Sequence, residues 1–306
     1  MSLENHMLLS KQFRDFVVEL RAHPIPLDQL IDVADVRMTF DALGGPDENP
    51  LDVSVTRVNA GGVPAEWIDV AGGDASHVIV YLHGGAYVAG RPAIYRSFVT
   101  ALCRAANCRA LVIDYRLAPE HPFPASLEDA QRCYAWLLQQ GVTAENMVIV
   151  GDSAGGGLAL STLVSLRDGG HSLPMAGVLL SPWTDLTLQS DSHVTKIGED
   201  PILTRLFLEK SREHYLGEHD NASNPLVSPL YANLVGLPPL LVLVGTAEIL
   251  LDDSVLLAQK AREAKVEVDL IRGEDMIHTW PFFISAFPEA LEAVQRIGKY
   301  IHHKFQ

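Results

Sequence analysis

From Val78 onward the chain sets short apolar runs against longer stretches of helical periodicity. The runs are Val78 to Leu82, Ala110 to Tyr115, Met147 to Val150, Ala176 to Leu180, Leu240 to Val244 and Val266 to Ile271. Such runs suit strands buried on both faces, and the intervening stretches suit the crossover helices that a parallel sheet requires. Helices are expected over Tyr95 to Ala106, Ser126 to Gln140, Ala154 to Arg167, Asp252 to Ala264 and Phe287 to His302.

Ahead of this alternation, two apolar-periodic stretches, Leu8 to Arg21 and Leu27 to Phe40, are split by His23-Pro24-Ile25-Pro26. Proline removes donors and stops helix continuation, so two short helices are expected. Leu51 to Asn59 and Val63 to Val70 alternate around Gly61-Gly62, as an antiparallel hairpin at a sheet edge does. The alternation breaks between Ser181 and Leu240, where a helical stretch, Leu203 to Tyr215, stands alone. Residues of about 1–45 and about 186–225 are therefore expected to form a helical cap over the carboxyl edge of the sheet. No repeat or linker divides the chain, so residues 1–306 read as one α/β domain: a mostly parallel central sheet with helices on both faces.

Composition narrows the partners. A 306-residue chain with 48% hydrophobic and 20% charged residues is ordinary for a folded protein. Its formal net charge of -15 repels phosphate backbones and anionic membrane surfaces, and no Lys/Arg cluster offsets it. Neither a nucleic acid nor a membrane is expected as a partner. Cys103, Cys108 and Cys133 lack metal-knuckle spacing and leave one thiol over in any pairing, which favours a reducing cytoplasm. Met1 to Leu20 carries Glu4, Lys11, Arg14, Asp15 and Glu19, so no export signal is read there.

The chemistry begins at Gly151-Asp152-Ser153-Ala154-Gly155, a G-x-S-x-G between an apolar run and a helical one. A strand-to-helix turn this sharp needs small residues and lifts the Ser153 hydroxyl above the sheet. The bland alternative is a glycine-rich turn around a structural serine. A serine nucleophile needs a base, and the base a carboxylate, in the chain order Ser, acid, His. Among twelve histidines, His278 follows the last apolar run and precedes the final helix. His302 and His303 fall in that helix, while His171, His193, His214 and His219 read mostly as solvated loop or cap residues. Glu248 is the first carboxylate after Leu240 to Val244, whereas Asp252 reads as the N-cap of the next helix. His83-Gly84-Gly85-Ala86 follows Val78 to Leu82 and supplies backbone N–H groups for an oxyanion hole, with His83 holding the loop.

These motifs resemble the bacterial hormone-sensitive-lipase family of esterases, family IV, in its GDSAG subgroup. A third string agrees, Tyr115-Arg116-Leu117-Ala118-Pro119-Glu120-His121-Pro122-Phe123-Pro124-Ala125, standing between the oxyanion segment and the nucleophile. The resemblance implies the α/β-hydrolase fold and hydrolysis of short-chain acyl esters without metal or organic cofactor. It implies an oxyanion hole at Gly84, Gly85 and Ala86 and at Ala154 after the serine, with the N–H groups of Gly85, Ala86 and Ala154 as donors, and a homodimer paired through the last strand, residues 266–271. The chain departs from the family in Ala86 for a third glycine, Glu248-Ile249-Leu250 for Asp-Pro-Leu, and Thr279-Trp280 after His278. Tyr87 and Trp183 are candidates for lining the substrate pocket, or equally for packing the cap onto the sheet. A ligand-binding receptor on the same scaffold is the rival class; plant gibberellin receptors resemble this family but lack the histidine that His278 supplies. Amidase or lactonase chemistry would use the same machinery.

Overall fold

The apolar runs become central strands because residues of both parities find a hydrophobic layer to enter. Val78, Val80 and Leu82 join one layer, while Ile79 and Tyr81, pointing the other way, join a second. In the computed structural model, which describes residues 9–25, 27, 32–42, 50–219 and 221–306, the elements follow one another in the expected alternation. They are α1 (Lys11–Ala22), α2 (Val33–Ala42), β1 (Val53–Ala60), β2 (Val63–Val70), β3 (Asp74–Leu82), α3 (Pro92–Ala106), β4 (Cys108–Ile113), α4 (Ala125–Gln139) and β5 (Met147–Asp152). There follow α5 (Ala154–Asp168), β6 (Ala176–Leu180), α6 (Ser192–Thr195), α7 (Arg205–Leu216), β7 (Leu240–Gly245), α8 (Leu251–Glu263), β8 (Val268–Gly273) and α9 (Pro288–Lys304).

The strands form one eight-stranded sheet in the order β1-β2-β4-β3-β5-β6-β7-β8. The β1/β2 hairpin lies at one edge, antiparallel internally and to β4, and every later pairing is parallel. One layer is filled by α4, α5 and α8 through Leu127, Leu137, Leu158, Leu163 and Leu257. The other holds α3 and α9 through Phe98, Leu102, Val294 and Ile297. This is the α/β-hydrolase arrangement, with Ser153 at the turn between β5 and α5.

Several boundaries differ from the sequence pattern for local reasons. The last strand begins at Val268, not Val266, because Lys265 takes a left-handed φ of 63° and the Val266 N–H turns back to Ala261 O at 2.9 Å. That is a Schellman ending for α8, and it consumes the two residues before the strand. Asp252 is not the N-cap of α8: the helix starts at Leu251, after Leu250. Asp252 Oδ2 instead accepts the Ser192 N–H at 2.8 Å, and Ser192 Oγ accepts the Asp252 N–H at 3.0 Å. Nor is His193 a solvated residue; it is fully buried, with Nε2 3.0 Å from Asp253 Oδ1. In the N-terminal stretches, Leu8 and positions 28–31 lie outside the described residues.

Candidate active site

The serine turn is tight by necessity. Ser153 has φ 54° and ψ -122°, its N–H donates to Leu180 O at 2.8 Å, and a Cβ at Gly155 would stand 2.1 Å from Leu82 O. Nothing larger than glycine lets α5 start so close to β3. Ser153 is thereby held at a strained φ at the N-terminal end of a 15-residue helix, where the dipole and free N–H groups favour developing negative charge.

The structure brings Ser153, His278 and Glu248 together from three separate connections. His278 Nε2 lies 3.0 Å from Ser153 Oγ, and His278 Nδ1 lies 2.7 Å from Glu248 Oε2. An ionised carboxylate only accepts, so Nδ1 carries the proton and the Nε2 lone pair faces the serine hydroxyl. Glu248 is fully buried, yet its other oxygen accepts from Ser181 Oγ at 2.7 Å and Gly245 N–H at 2.6 Å. Ser181 Oγ also accepts the Thr279 N–H at 3.0 Å, so one hydroxyl ties the acid turn to the histidine loop. Burial alone would pull the His278 imidazole down, but the charges of Glu248, Asp200 and Asp152, with the Glu248 hydrogen bond, leave it raised.

Asp152 organises the segment expected to hold an oxyanion. Its Oδ1 accepts the Tyr81 hydroxyl at 2.6 Å and the Gly84 N–H at 2.9 Å, and burial pushes the carboxyl up to about 6 against those bonds. Gly84 N–H is therefore engaged and not available to a substrate, whereas Gly85 and Ala86 line the cavity above Ser153. Gly85 has φ 116°, and a Cβ there would meet Ala89 O at 2.1 Å; Ala86, with φ 53°, sits in the left-handed region that other residues can adopt. Ala154, the first residue of α5, is buried beside the serine. His83 is buried and stacked on Tyr115 at 4.3 Å, with its Nδ1 2.7 Å from Gly84 O. Burial pushes this imidazole down to about 4, so it is neutral and acts as a strut. The Tyr115 hydroxyl donates to His83 O at 2.6 Å, which assigns the start of the third sequence string to the support of this loop.

Above Ser153 opens a cavity of about 310 Å³, lined by Phe16, Leu20 and Phe40 from the N-terminal segment, Ile202, Leu203 and Phe207 from the insertion, and Phe282. Among the described residues its wall is apolar except at Ser153, His278, Asp152, Tyr95, Thr39 and Thr279. Tyr87 and Trp183 are not part of this wall. Both are buried, and Tyr87 stacks on Tyr215 of α7 with centroids 3.8 Å apart and packs on Trp183 at 6.0 Å, joining the insertion to the sheet. Among the described residues no group of three metal-ligating side chains gathers. Sequence reasoning missed Ser181, Asp200 and the Asp253–His193 pair, whose partners lie far away in the chain.

Fold and site together define a class, the esterases built on the α/β-hydrolase scaffold. The sequence model of a family described as alpha/beta hydrolase fold matches residues 79–282. An acetyl-hydrolase of Streptomyces hygroscopicus is 40% identical over 262 residues, 86% of this chain and 85% of its own length. An esterase of Acinetobacter venetianus is 36% identical over 83% of each chain. Among solved structures, EstE5 soaked with ethyl alcohol superposes with a TM-score of 0.93 at 39% identity, over 97% of this chain and 99% of its own. An esterase from the bacterial hormone-sensitive lipase family superposes at 0.92 with 40% identity, over 98% and 100%. The chain belongs to the hormone-sensitive-lipase family of α/β-hydrolase-fold esterases, and its class is that of a carboxylic-ester hydrolase.

Proposed function

We propose that the chain hydrolyses short-chain acyl esters through an acyl-enzyme on Ser153. The observation that carries this reading is the unbroken hydrogen-bonded path from Ser153 Oγ through His278 to buried Glu248 at the floor of an apolar cavity. His278 takes the hydroxyl proton as Ser153 attacks the carbonyl, and Glu248 stabilises the imidazolium. The N–H groups of Gly85, Ala86 and Ala154 receive the oxyanion. The alcohol departs with the proton from His278, and water, deprotonated by the same imidazole, releases the acid. The small apolar cavity supports short acyl groups, so kcat/KM across esters from acetyl to palmitoyl should peak among the short chains. A maximum at palmitoyl would contradict this substrate class.

The walls contributed by the N-terminal segment and the insertion support reading about 1–45 and about 186–225 as a cap. The three free, buried cysteines support a reducing, cytoplasmic setting. Among the described residues β8 ends the sheet with only β7 beside it, an edge suited to pairing with a second copy.

Two further results are expected. Only the neutral imidazole accepts the serine proton, and His278 is raised, so kcat/KM should climb with pH through a midpoint above the ordinary imidazole value of about 6.5 and then level off. A midpoint well below that value would remove the carboxylates from the account. Glu248→Gln should cut kcat by roughly 10² to 10⁴ through a mis-set imidazole. Asp252→Asn, at a carboxylate that accepts the Ser192 N–H, should spare most of the rate and cost about 1 kcal/mol or less in a denaturant melt. The reverse ranking in steady-state rates would move the acid to Asp252.

A further inference from the structure

The insertion contains Glu199-Asp200-Pro201-Ile202-Leu203. Pro201 has no N–H, so the first donors that the Asp200 side chain can reach are those of the next two residues. Asp200 Oδ1 accepts both, Ile202 N–H at 2.9 Å and Leu203 N–H at 2.9 Å. A local turn would end there. Here the second oxygen, Oδ2, leaves the segment and accepts the Ile249 N–H at 2.9 Å.

The two ends of this bridge matter to the site. Ile202 and Leu203 form part of the cavity wall above Ser153. Ile249 directly follows Glu248, whose carboxylate holds His278. We propose that Asp200 is a positioning residue of the hydrolytic site: its carboxylate holds the acyl-cavity wall and the Glu248-Ile249 turn in one register, and so keeps a negative charge beside the turn that holds His278. This deepens the esterase reading and rests on it.

The electrostatic surroundings fit that role. The charged groups acting on His278 come from three places: Glu248 after β7, Asp200 in the insertion and Asp152 at the end of β5. Burial pushes Asp200 up to about 6, opposed by His278 and by the Leu203 and Ile249 N–H groups, with Glu248 pushing it further up. Its three backbone N–H donors favour the ionised carboxylate. On its own segment the flanking charges face outward: Glu199 pairs with Lys196 at 2.7 Å, and Arg21 of α1 donates to Glu199 O at 3.0 Å. Charge-assisted bonds to three backbone N–H groups are stronger than neutral ones, so the amide of asparagine is a poor replacement. Asparagine offers one oxygen, and its NH₂ would face an N–H on the other side.

The test measures kcat and KM against pH for wild type, Asp200→Asn, Asp200→Glu and Glu199→Gln with a chromogenic butyryl ester. Ser153→Ala is run beside them; turnover surviving in that variant would defeat the esterase reading, independently of Asp200. Asp200→Asn is expected to move the acid limb of kcat/KM to lower pH by about half a unit or more, because a negative charge near the imidazole is lost. Its plateau kcat should fall by about tenfold, a loss of register worth roughly one pairwise bond to a charged group. Glu199→Gln should leave both quantities at wild-type values. Asp200→Glu keeps the charge but not the three bond lengths, so its acid limb should stay near that of wild type while its kcat falls. An Asp200→Asn limb at the wild-type position, whatever the rate, would overturn the proposal, because a merely structural residue costs activity without moving a titration. If Asp200→Asn fails to fold, the Glu variant decides: wild-type kcat in Asp200→Glu would equally overturn it.

Discussion

Ser153→Ala is expected to lower the rate of ester turnover by a factor of roughly 10⁴ or more, with the fold unchanged. The hydroxyl is the atom that bonds to the acyl carbon in the proposed sequence, and it is the hydroxyl hydrogen-bonded to His278 Nε2. A loss of that size corresponds to about 5 kcal/mol or more of barrier. It should fall on kcat and leave ester affinity close to that of wild type, because the cavity walls that hold the acyl group stay in place. The backbone of Ser153 already has the φ of 54° with a Cβ in place, and alanine keeps that same Cβ. The melting temperature should accordingly differ little from wild type. Steady-state kinetics and a thermal melt on the same preparation check both halves of this expectation.

His278→Ala carries the second large effect. The variant should lose roughly 10⁴ or more in kcat, since neither attack nor departure of the alcohol then has a proton carrier. The acid limb of the pH profile should vanish with the activity, leaving a weak, nearly flat residue of turnover. The losses from Ser153→Ala and His278→Ala should not add: the double variant should be about as slow as either single one, because the two side chains act as one unit. Near-normal turnover in His278→Ala would reassign the base. Additive losses would instead separate the two residues into independent devices, which the 3.0 Å contact between them argues against.

What the sequence disclosed about this molecule, and what it withheld, divides along the distance between interacting partners. The sheet was legible because each buried strand is a continuous apolar run and each crossover helix has its own period. The serine turn and the glycine segment before it were legible because each turn's own backbone demands small residues: Ser153 has φ 54°, and Gly85 has φ 116° against Ala89 O four residues on. Glu248 and His278 could be picked out as candidates because each follows a strand end, and the parallel order of β6, β7 and β8 brings those ends side by side.

Other features depend on pairs that no local pattern marks. Ser181 reaches Glu248 across 67 residues, and His193 reaches Asp253 across 60. Asp200 reaches Ile249 across 49. Read alone, each is a polar residue in a loop or helix end, and solvent exposure is the natural expectation. Asp252 was misread for the same reason. An acid ahead of an apolar helix suggests a cap, yet the hydroxyl that accepts its N–H comes from Ser192, in the insertion. Tyr87 directly follows the glycine segment in sequence, but its ring stacks on Tyr215 and packs on Trp183, away from the cavity wall.

The central claim is that Ser153 is the covalent partner, activated by His278 and Glu248. The most direct measurement treats the wild-type chain with a fluorophosphonate, digests it and locates the adduct by peptide mass spectrometry, with Ser153→Ala and His278→Ala treated in parallel. The account predicts one adduct, on Ser153, absent from Ser153→Ala and formed far more slowly in His278→Ala. An adduct on another residue that persists at full rate in Ser153→Ala would contradict it.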